Sequence, residues 1–311
     1  MNTLTLNRVF EGYLLHLEAK RLSHNTINTY TYAFNKLTQV IPGEATFTSI
    51  TTDQIAACLA LQSQLSNKTL LNVHAALSAF WSWAVVQGFA GANPVESIAR
   101  PRPEKREIIP FTRDDVLALL RACDHTRSYS RPGKRECANS RPSALRDRTI
   151  ILLLLDTGLR ASELCTLRIH DVDLTNRYVV VQGKGNNERL LPIDATTSQT
   201  IWKYLSGRED QDRERLDDPL FVTSERNPLD RQQLRHILDH LGTRAAIRSV
   251  HPHRFRHTFA ITYLRNGGDI YTLQRCLGHT TLDMVKRYLS IAQSDVQAAH
   301  RRASPVANWK L

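Results

Sequence analysis

Apolar positions in the first hundred residues recur at helical spacing. Phe10, Leu14, Leu15 and Leu17 predict one helix. Ile27, Tyr30, Phe34 and Leu37 predict a second, capped around Ser23 with Asn25 or Thr26 and closed by Pro42-Gly43. Thr51 or Thr52 opens a third through Ile55 and Leu59, and Ser66 or Asn67 opens a fourth. That fourth helix carries Leu70, Val73, Ala76, Leu77, Phe80 and Trp81 on one face. No stretch alternates as a strand would, so residues 1–98 read as a small helical domain.

From Asn93-Pro94 to Pro103 the chain is proline-rich, charged and poor in large apolar residues, which predicts a linker over 99–108. A second domain then covers 109–311, with a tail over 293–311. Thr112 followed by Asp114-Asp115 and Val116, Leu119 and Leu120 signs a helix start. Residues 126–148 hold seven basic side chains and two prolines without apolar periodicity, predicting a loop that is either solvated or in contact with a polyanion. A helix over 145–157 stops at Gly158, and another starts near Ser162. Tyr178 to Val181 and Arg189 to Ile193 flank Gly183-Lys184-Gly185-Asn186-Asn187 as a β-hairpin. From about residue 196 the helical pattern resumes to the end. The fold class is therefore mainly α with a small antiparallel β-sheet.

Charge changes the picture more than composition does. Lys plus Arg total 41 against 30 for Asp plus Glu, a formal charge of +11. Residues 1–100 carry only +1 of it, so the second domain holds nearly all the excess that would attract a polyanion. Arg102, Lys105 and Arg106 place part of it on the linker, which suits either a solvated spacer or a segment along a phosphate backbone. The five cysteines are scattered and form no CxxC pair, against a disulfide framework or a structural zinc site. The longest apolar run, Ile150 to Leu155, is too short for a bilayer, and no signal-peptide core opens the chain. These features predict a cytoplasmic protein with no membrane partner.

Several residues suit a phosphate substrate. Arg160, two residues past the Gly158 stop, offers a rigid fork of donors. Lys184 occupies the hairpin tip. His253 and His257 lie four apart around Arg254 and Arg256; the arginines oppose a metal there, and no Glu or Cys completes a ligand set. A phosphate pocket accounts for both residue types. Leu277-Gly278-His279 follows, and nine positions beyond His279 stands Tyr288. By itself a helical tyrosine is most often a packing residue.

In order and spacing, these fragments resemble the tyrosine recombinase (phage integrase) family over roughly residues 1–295. The marks are Thr157-Gly158-Leu159-Arg160-x-x-Glu163-Leu164, Gly183-Lys184-Gly185 followed by Arg189 and Pro192, His253-x-x-Arg256-His257-Thr258-Phe259-Ala260, Leu277-Gly278-His279, and Tyr288. Ser23-His24-Asn25-Thr26 with Tyr30 is similar to the start of that family's helical core-binding domain. The resemblance implies a helical DNA-binding domain joined to an α+β catalytic domain. Tyr288 would attack the scissile phosphate, giving a 3′-phosphotyrosine and a free 5′-hydroxyl, with no cofactor. Arg160 and Arg256 would hold the non-bridging oxygens, Lys184 would protonate the leaving oxygen, His253 would assist proton transfer and His279 would bond the phosphate. Glu163 would brace the arginines and His257 would pack. Asn25, Thr26, Lys68, Arg102, Lys105 and Arg106 are the candidate DNA contacts.

The implied partners are double-stranded DNA carrying a specific recombination site, a homotetramer on two such sites, and accessory directionality proteins. With no room for an arm-binding domain before the first helix, the chain is closer to two-domain Xer-like members. The tail 293–311 packs either on a neighbouring subunit or on its own domain. Lys286-Arg287-Tyr288-Leu289 is an uncommon context for the nucleophile, and 126–148 is longer than in compact members. A type IB topoisomerase-like enzyme and a catalytically inactive site-specific DNA-binding protein are the alternatives.

Overall fold

The helices of the N-terminal region start where a side-chain oxygen can accept their first amides. In the computed structural model, which describes residues 4–102, 108–124, 141–183, 188–208, 216–278, 288, 300 and 304–309, Thr5 caps α1 (Leu6–Ala19). Ser23 Oγ accepts the Thr26 amide at the head of α2 (His24–Thr38). Thr51 and Gln54 bond reciprocally before α3 (Thr52–Leu61), and Ser66 Oγ accepts the Thr69 amide before α4 (Asn67–Val86). Each cap satisfies amides that a helix leaves open.

Two details of this region depart from the hydrophobic pattern. On α1 the buried face runs through Leu6, Val9, Phe10, Tyr13 and Leu17, whereas Leu15 is 67% exposed. Tyr13 takes the inner position because its ring meets Tyr30, Phe80 and Trp83. And α2 ends at Thr38, before Pro42: the Val40 and Ile41 amides both turn back to the Leu37 carbonyl, which carries Ile41 into the core. Among the described residues α4 is the one helix long and apolar enough, by length and composition, to cross a membrane. Its Val73, Ala76, Leu77, Phe80, Trp81 and Ala84 are the centre of the aromatic core of this region.

Packing divides the chain into two units, Met1–Glu107 and Ile108–Leu311. In the second unit, α5 (Arg113–Asp124) begins at a reciprocal Thr112–Asp115 pair. The organising element is α6 (Ala144–Thr157), whose Ile150, Ile151, Leu153 and Leu154 are fully buried against α5, α8 (Ala195–Ser206) and α10 (Pro252–Arg265). Because α6 starts at Ala144, the end of the basic 126–148 segment is helix rather than loop; residues 125–140 lie outside the described residues. Arg141, Arg146 and Arg148 are not loose cations either. The first two pair with the buried Asp147, and Arg148 pairs with Asp124.

The sheet has one strand more than the hairpin predicted. β1 (Val172–Asp173), β2 (Tyr178–Gln182) and β3 (Glu188–Pro192) pair antiparallel in that order, with Val179 opposite Leu191 and Val181 opposite Arg189. β1 is two residues long, too short to alternate. Helix does not run unbroken from 196 either. Between α8 and α9 (Arg231–Ala245) the described stretch 216–230 runs in turns and isolated bridges, Arg168 to Pro219 and Val222 to Pro228. It spends its amides on Leu167 and its own turn, so that Leu220, Phe221 and Leu229 enter the core. The remaining described helices are α7 (Ala161–Thr166), α11 (Ile270–Leu277), a short helix at Pro305–Trp309 and the 3-10 turns Phe47–Ser49 and Ile169–Asp171.

Candidate active site

Two helix ends meet to make the site. α6 stops at Gly158, whose φ of 64° is left-handed. A Cβ there would lie 2.5 Å from Phe259 Cδ1, so both conformation and space require glycine. The turn brings Arg160 into extended backbone at the head of α7. α11 stops at Gly278, also left-handed at φ 61°.

Carbonyls at these two ends carry the negative pole of a helix, and three arginines use them. Arg256 of α10 is buried and donates to the Gly158 carbonyl at 2.8 Å and the Leu277 carbonyl at 2.6 Å. Arg160 Nη2 donates to the Gly278 carbonyl at 3.2 Å, and Arg189 Nε to the Cys276 carbonyl at 2.9 Å. One carboxylate serves the group. Glu163 accepts Arg160 Nη1 on Oε1 at 2.7 Å, and on Oε2 both Arg189 Nη2 at 2.7 Å and the Arg160 amide at 2.9 Å. Burial by itself would raise the Glu163 carboxyl, but these bonds outweigh it and hold the group below the ordinary glutamate range. Burial, then the like charge of Arg160, pushes Arg256 down to about 10, so it is still a cation at neutral pH.

Tyr288 belongs to this place. It is buried beside Ala260, Ile261, Leu273 and Leu277, its ring lies edge-on to His257 at 5.1 Å, and it is within electrostatic reach of Arg256. The structure thus brings Arg160, Arg256 and Tyr288 together. His253 is exposed in the first turn of α10. Lys184, His279, Lys105 and Arg106 lie outside the described residues. The other arginine of the histidine run goes elsewhere. Arg254 lies over the Phe111 ring and donates to the Ile109 and Arg248 carbonyls, fastening the start of this unit to α10.

Sequence reasoning missed two contributors. Arg189 counted only as a motif mark, although its position in β3 opposite Val181 was readable once the hairpin register was set. His251 caps α10 by accepting the Arg254 amide on Nδ1; burial, then His253 and Arg254, lowers its pKa and favours the neutral ring that can accept.

In the N-terminal unit, Asn25 and Thr26 lie in the first turn of α2, with Thr26 Oγ1 bonded to Ser23 Oγ. Lys68 is exposed in the first turn of α4, beside Asn67, which donates to the Arg102 carbonyl at 3.2 Å. A groove of about 280 Å³ runs between these helices, lined by Asn28, Thr29, Tyr32, Thr69, Asn72 and Val73, and was not anticipated.

Known proteins share both parts. Residues 111–295 match the phage integrase family, and residues 10–88 match the phage integrase N-terminal SAM-like domain. A tyrosine recombinase XerD from Staphylococcus haemolyticus is 28% identical over 97% of this chain and 100% of its own length. A tyrosine recombinase XerC from Staphylococcus epidermidis is 30% identical over 79% of this chain and 78% of its own. Among solved structures, the Tn1549 transposon integrase in complex with a circular intermediate DNA superposes with a TM-score of 0.74 at 19% identity, covering 95% of this chain and 99% of that one. A lambda integrase tetramer bound to a Holliday junction gives 0.71 at 20% identity over 92% and 78%.

Proposed function

The chain belongs to the phage integrase family of tyrosine recombinases, and on that premise we propose that it cleaves and rejoins duplex DNA at a specific site through a 3′-phosphotyrosine on Tyr288. One observation carries the reading: three guanidinia, Arg160, Arg189 and Arg256, gather around a single buried carboxylate within reach of a tyrosine. The excess positive charge calls for an anion, and a phosphodiester supplies one where an attacking hydroxyl is present. Arg160, 37% exposed, and Arg256 hold the two non-bridging oxygens and stabilise the charge that grows on them in the pentacoordinate transition state. The Tyr288 oxygen forms the new P–O bond while the 5′-oxygen departs; Lys184 gives that oxygen its proton, His253 assists removal of the tyrosine proton and His279 bonds the phosphate. The bond energy stays in the phosphotyrosine, so rejoining requires no cofactor.

The N-terminal unit holds the duplex through Asn25, Thr26, Lys68 and the groove between α2 and α4, with Arg102, Lys105 and Arg106 following the backbone. By extension from the lambda integrase tetramer on a Holliday junction, the working assembly is a homotetramer on two DNA sites, acting in the cytoplasm with accessory directionality proteins to integrate, excise or resolve DNA elements.

A library of randomised duplexes carrying suicide nicks tests this reading. The wild-type chain is expected to give a denaturant-resistant adduct whose cleavage site can be sequenced. Tyr288→Phe is expected to bind the recovered duplex and give no adduct. No adduct from the wild type, or one that persists in Tyr288→Phe, overturns the proposal. Relaxation of supercoils without recombinant product from two sites would assign topoisomerase chemistry instead.

A further inference from the structure

His253 and Arg256 both ride on α10, so whatever holds the start of that helix holds His253 most directly. The cap is a histidine rather than a hydroxyl or a carboxylate. His251 lies in extended backbone between the buried Val250 and Pro252, and its Nδ1 accepts the Arg254 amide at 3.2 Å. Arg254 fastens the same turn from its other side, donating from Nε to the Ile109 carbonyl at 2.9 Å and from Nη1 to the Arg248 carbonyl at 2.7 Å. His253 stands between the cap and the residue whose amide the cap accepts, with its own side chain exposed. An imidazole accepts on Nδ1 only while that nitrogen carries no proton, so the neutral ring keeps its proton on Nε2. A second proton turns the acceptor into a donor facing another N–H. It also adds a cation at the positive pole of the helix, where a cation is disfavoured.

We propose that His251 is a positioning residue: its proton-free Nδ1 holds the first turn of α10, and protonation releases the turn that carries His253 and slows cleavage. The inference rests on the reading of His253 as the group that assists removal of the tyrosine proton. The charged and titratable groups facing His251 are His253 and Arg254 on α10 and Arg235 and Asp239 on α9. Asp239 opposes the other three, but it is 54% exposed and already 3.7 Å from Arg235 Nε. Burial first, then His253, Arg254 and Arg235, lowers the His251 pKa. The cap is therefore formed at neutral pH and lost on the acid side of the ordinary histidine value of about 6.5. A serine or asparagine would hold the turn at every pH; the histidine makes it conditional on a proton.

His251→Asn separates the proton from the cap, because asparagine caps well and does not titrate in this range. Single-turnover cleavage of the duplex recovered as an adduct with the wild-type chain is followed from about pH 5 to 8 for wild type, His251→Asn and His251→Ala. The wild-type-to-Asn rate ratio cancels the groups that titrate in both chains, His253 included. It is expected to be constant above about pH 7 and to fall at least about threefold by about pH 5. His251→Ala lacks the cap at every pH and should be roughly 2–30-fold slower than His251→Asn, with no pH trend between the two. Hydrogen exchange at the Arg254 amide reads the cap without DNA: its protection should fall over the same range in wild type and stay level in His251→Asn. A level wild-type-to-Asn ratio overturns the inference, and so does a His251→Asn rate no higher than that of His251→Ala. Arg254 protection that ignores pH in the wild type overturns the proton-dependent cap whether or not the chain cuts DNA. No adduct from the wild type overturns the recombinase reading and the link to cleavage, while the exchange measurement still decides the cap.

Discussion

The two ends of α6 hold the same ingredients and use them differently. At its start Asp147, fully buried, is held by Arg141 and Arg146 on both oxygens, with Ser143 donating as well. The arginines spend further donors on the Cys123 and Val222 carbonyls. Asp147 stands ten residues, about 15 Å of helix, before the end of α6 at Thr157, beyond which lies the cluster around Glu163. There Arg160 is 37% exposed, whereas Arg141 and Arg146 are 16% and 14% exposed. Helix polarity sorts the two. An acid in the first turn is stabilised by the positive pole, and arginines at the last turn are stabilised by the carbonyls of the negative pole. The first cluster is closed on itself and fastens the helix; the second leaves a cation facing outward.

The largest effect should come from breaking the closed cluster. Asp147→Asn leaves two arginines in a poorly solvated place without their carboxylate, and a loss of about 3–5 kcal/mol of stability is expected by denaturant titration. Adduct formation per folded molecule should match wild type. A stable Asp147→Asn chain that forms adduct slowly would end the distinction between the clusters.

Opening the other cluster should move chemistry more than stability. Arg256→Gln removes a phosphate donor of the proposed mechanism, and adduct formation should slow by roughly 10²–10³-fold, the usual cost of one such group. It also leaves the Gly158 and Leu277 carbonyls without this donor, worth about 1–3 kcal/mol in thermal unfolding. Unchanged single-turnover cleavage by a folded Arg256→Gln chain would place the phosphate elsewhere.

Glu163→Gln sharpens the contrast through pH. The folded carboxyl lies below its ordinary value, so its stabilisation is complete above the unfolded pKa of about 4.3 and is lost as pH falls through the lower folded value. Wild type should therefore lose stability in acid, from about pH 4.3 downward, more steeply than Glu163→Gln. At neutral pH the variant should be less stable by about 1–3 kcal/mol, nearer the lower figure because Arg160 is partly screened by solvent. Parallel acid limbs for the two chains would mean that Glu163 carries no such linkage.

Much of this was legible in the sequence, for physical reasons that also mark where legibility ends. Caps at Ser23, Thr51 and Ser66 and the glycine stop at Gly158 are local, and local chemistry is written locally. Arg160, Arg256 and Tyr288 were found by order and spacing, without any sight of their contacts. What closes the site is not local: Arg160 reaches the Gly278 carbonyl across 118 positions, and Arg189 reaches the Cys276 carbonyl across 87. No periodicity encodes those approaches. The Asp147 cluster was hidden for a related reason. A basic run with two prolines has the composition of a solvated loop, and only the fold shows that Arg141 and Arg146 converge on one buried acid.

Arg148 gives the smallest effect and decides what remains of that basic segment. It pairs with Asp124 at 3.1 Å, but the two side chains are 35% and 43% exposed. Solvent screens such a pair and the long side chains lose freedom to make it, so Arg148→Ala should cost less than about 1 kcal/mol. Its other reading concerns DNA. Neutralising one phosphate fewer reduces the slope of log affinity against log salt by about 0.9 on a duplex. If Arg148 is only a surface partner of Asp124, the slope for the recovered duplex stays at the wild-type value. A fall of about one would show that the C-terminal end of the basic segment lies on the phosphate backbone. The closed cluster would then neighbour a DNA-binding side chain instead of being structural alone.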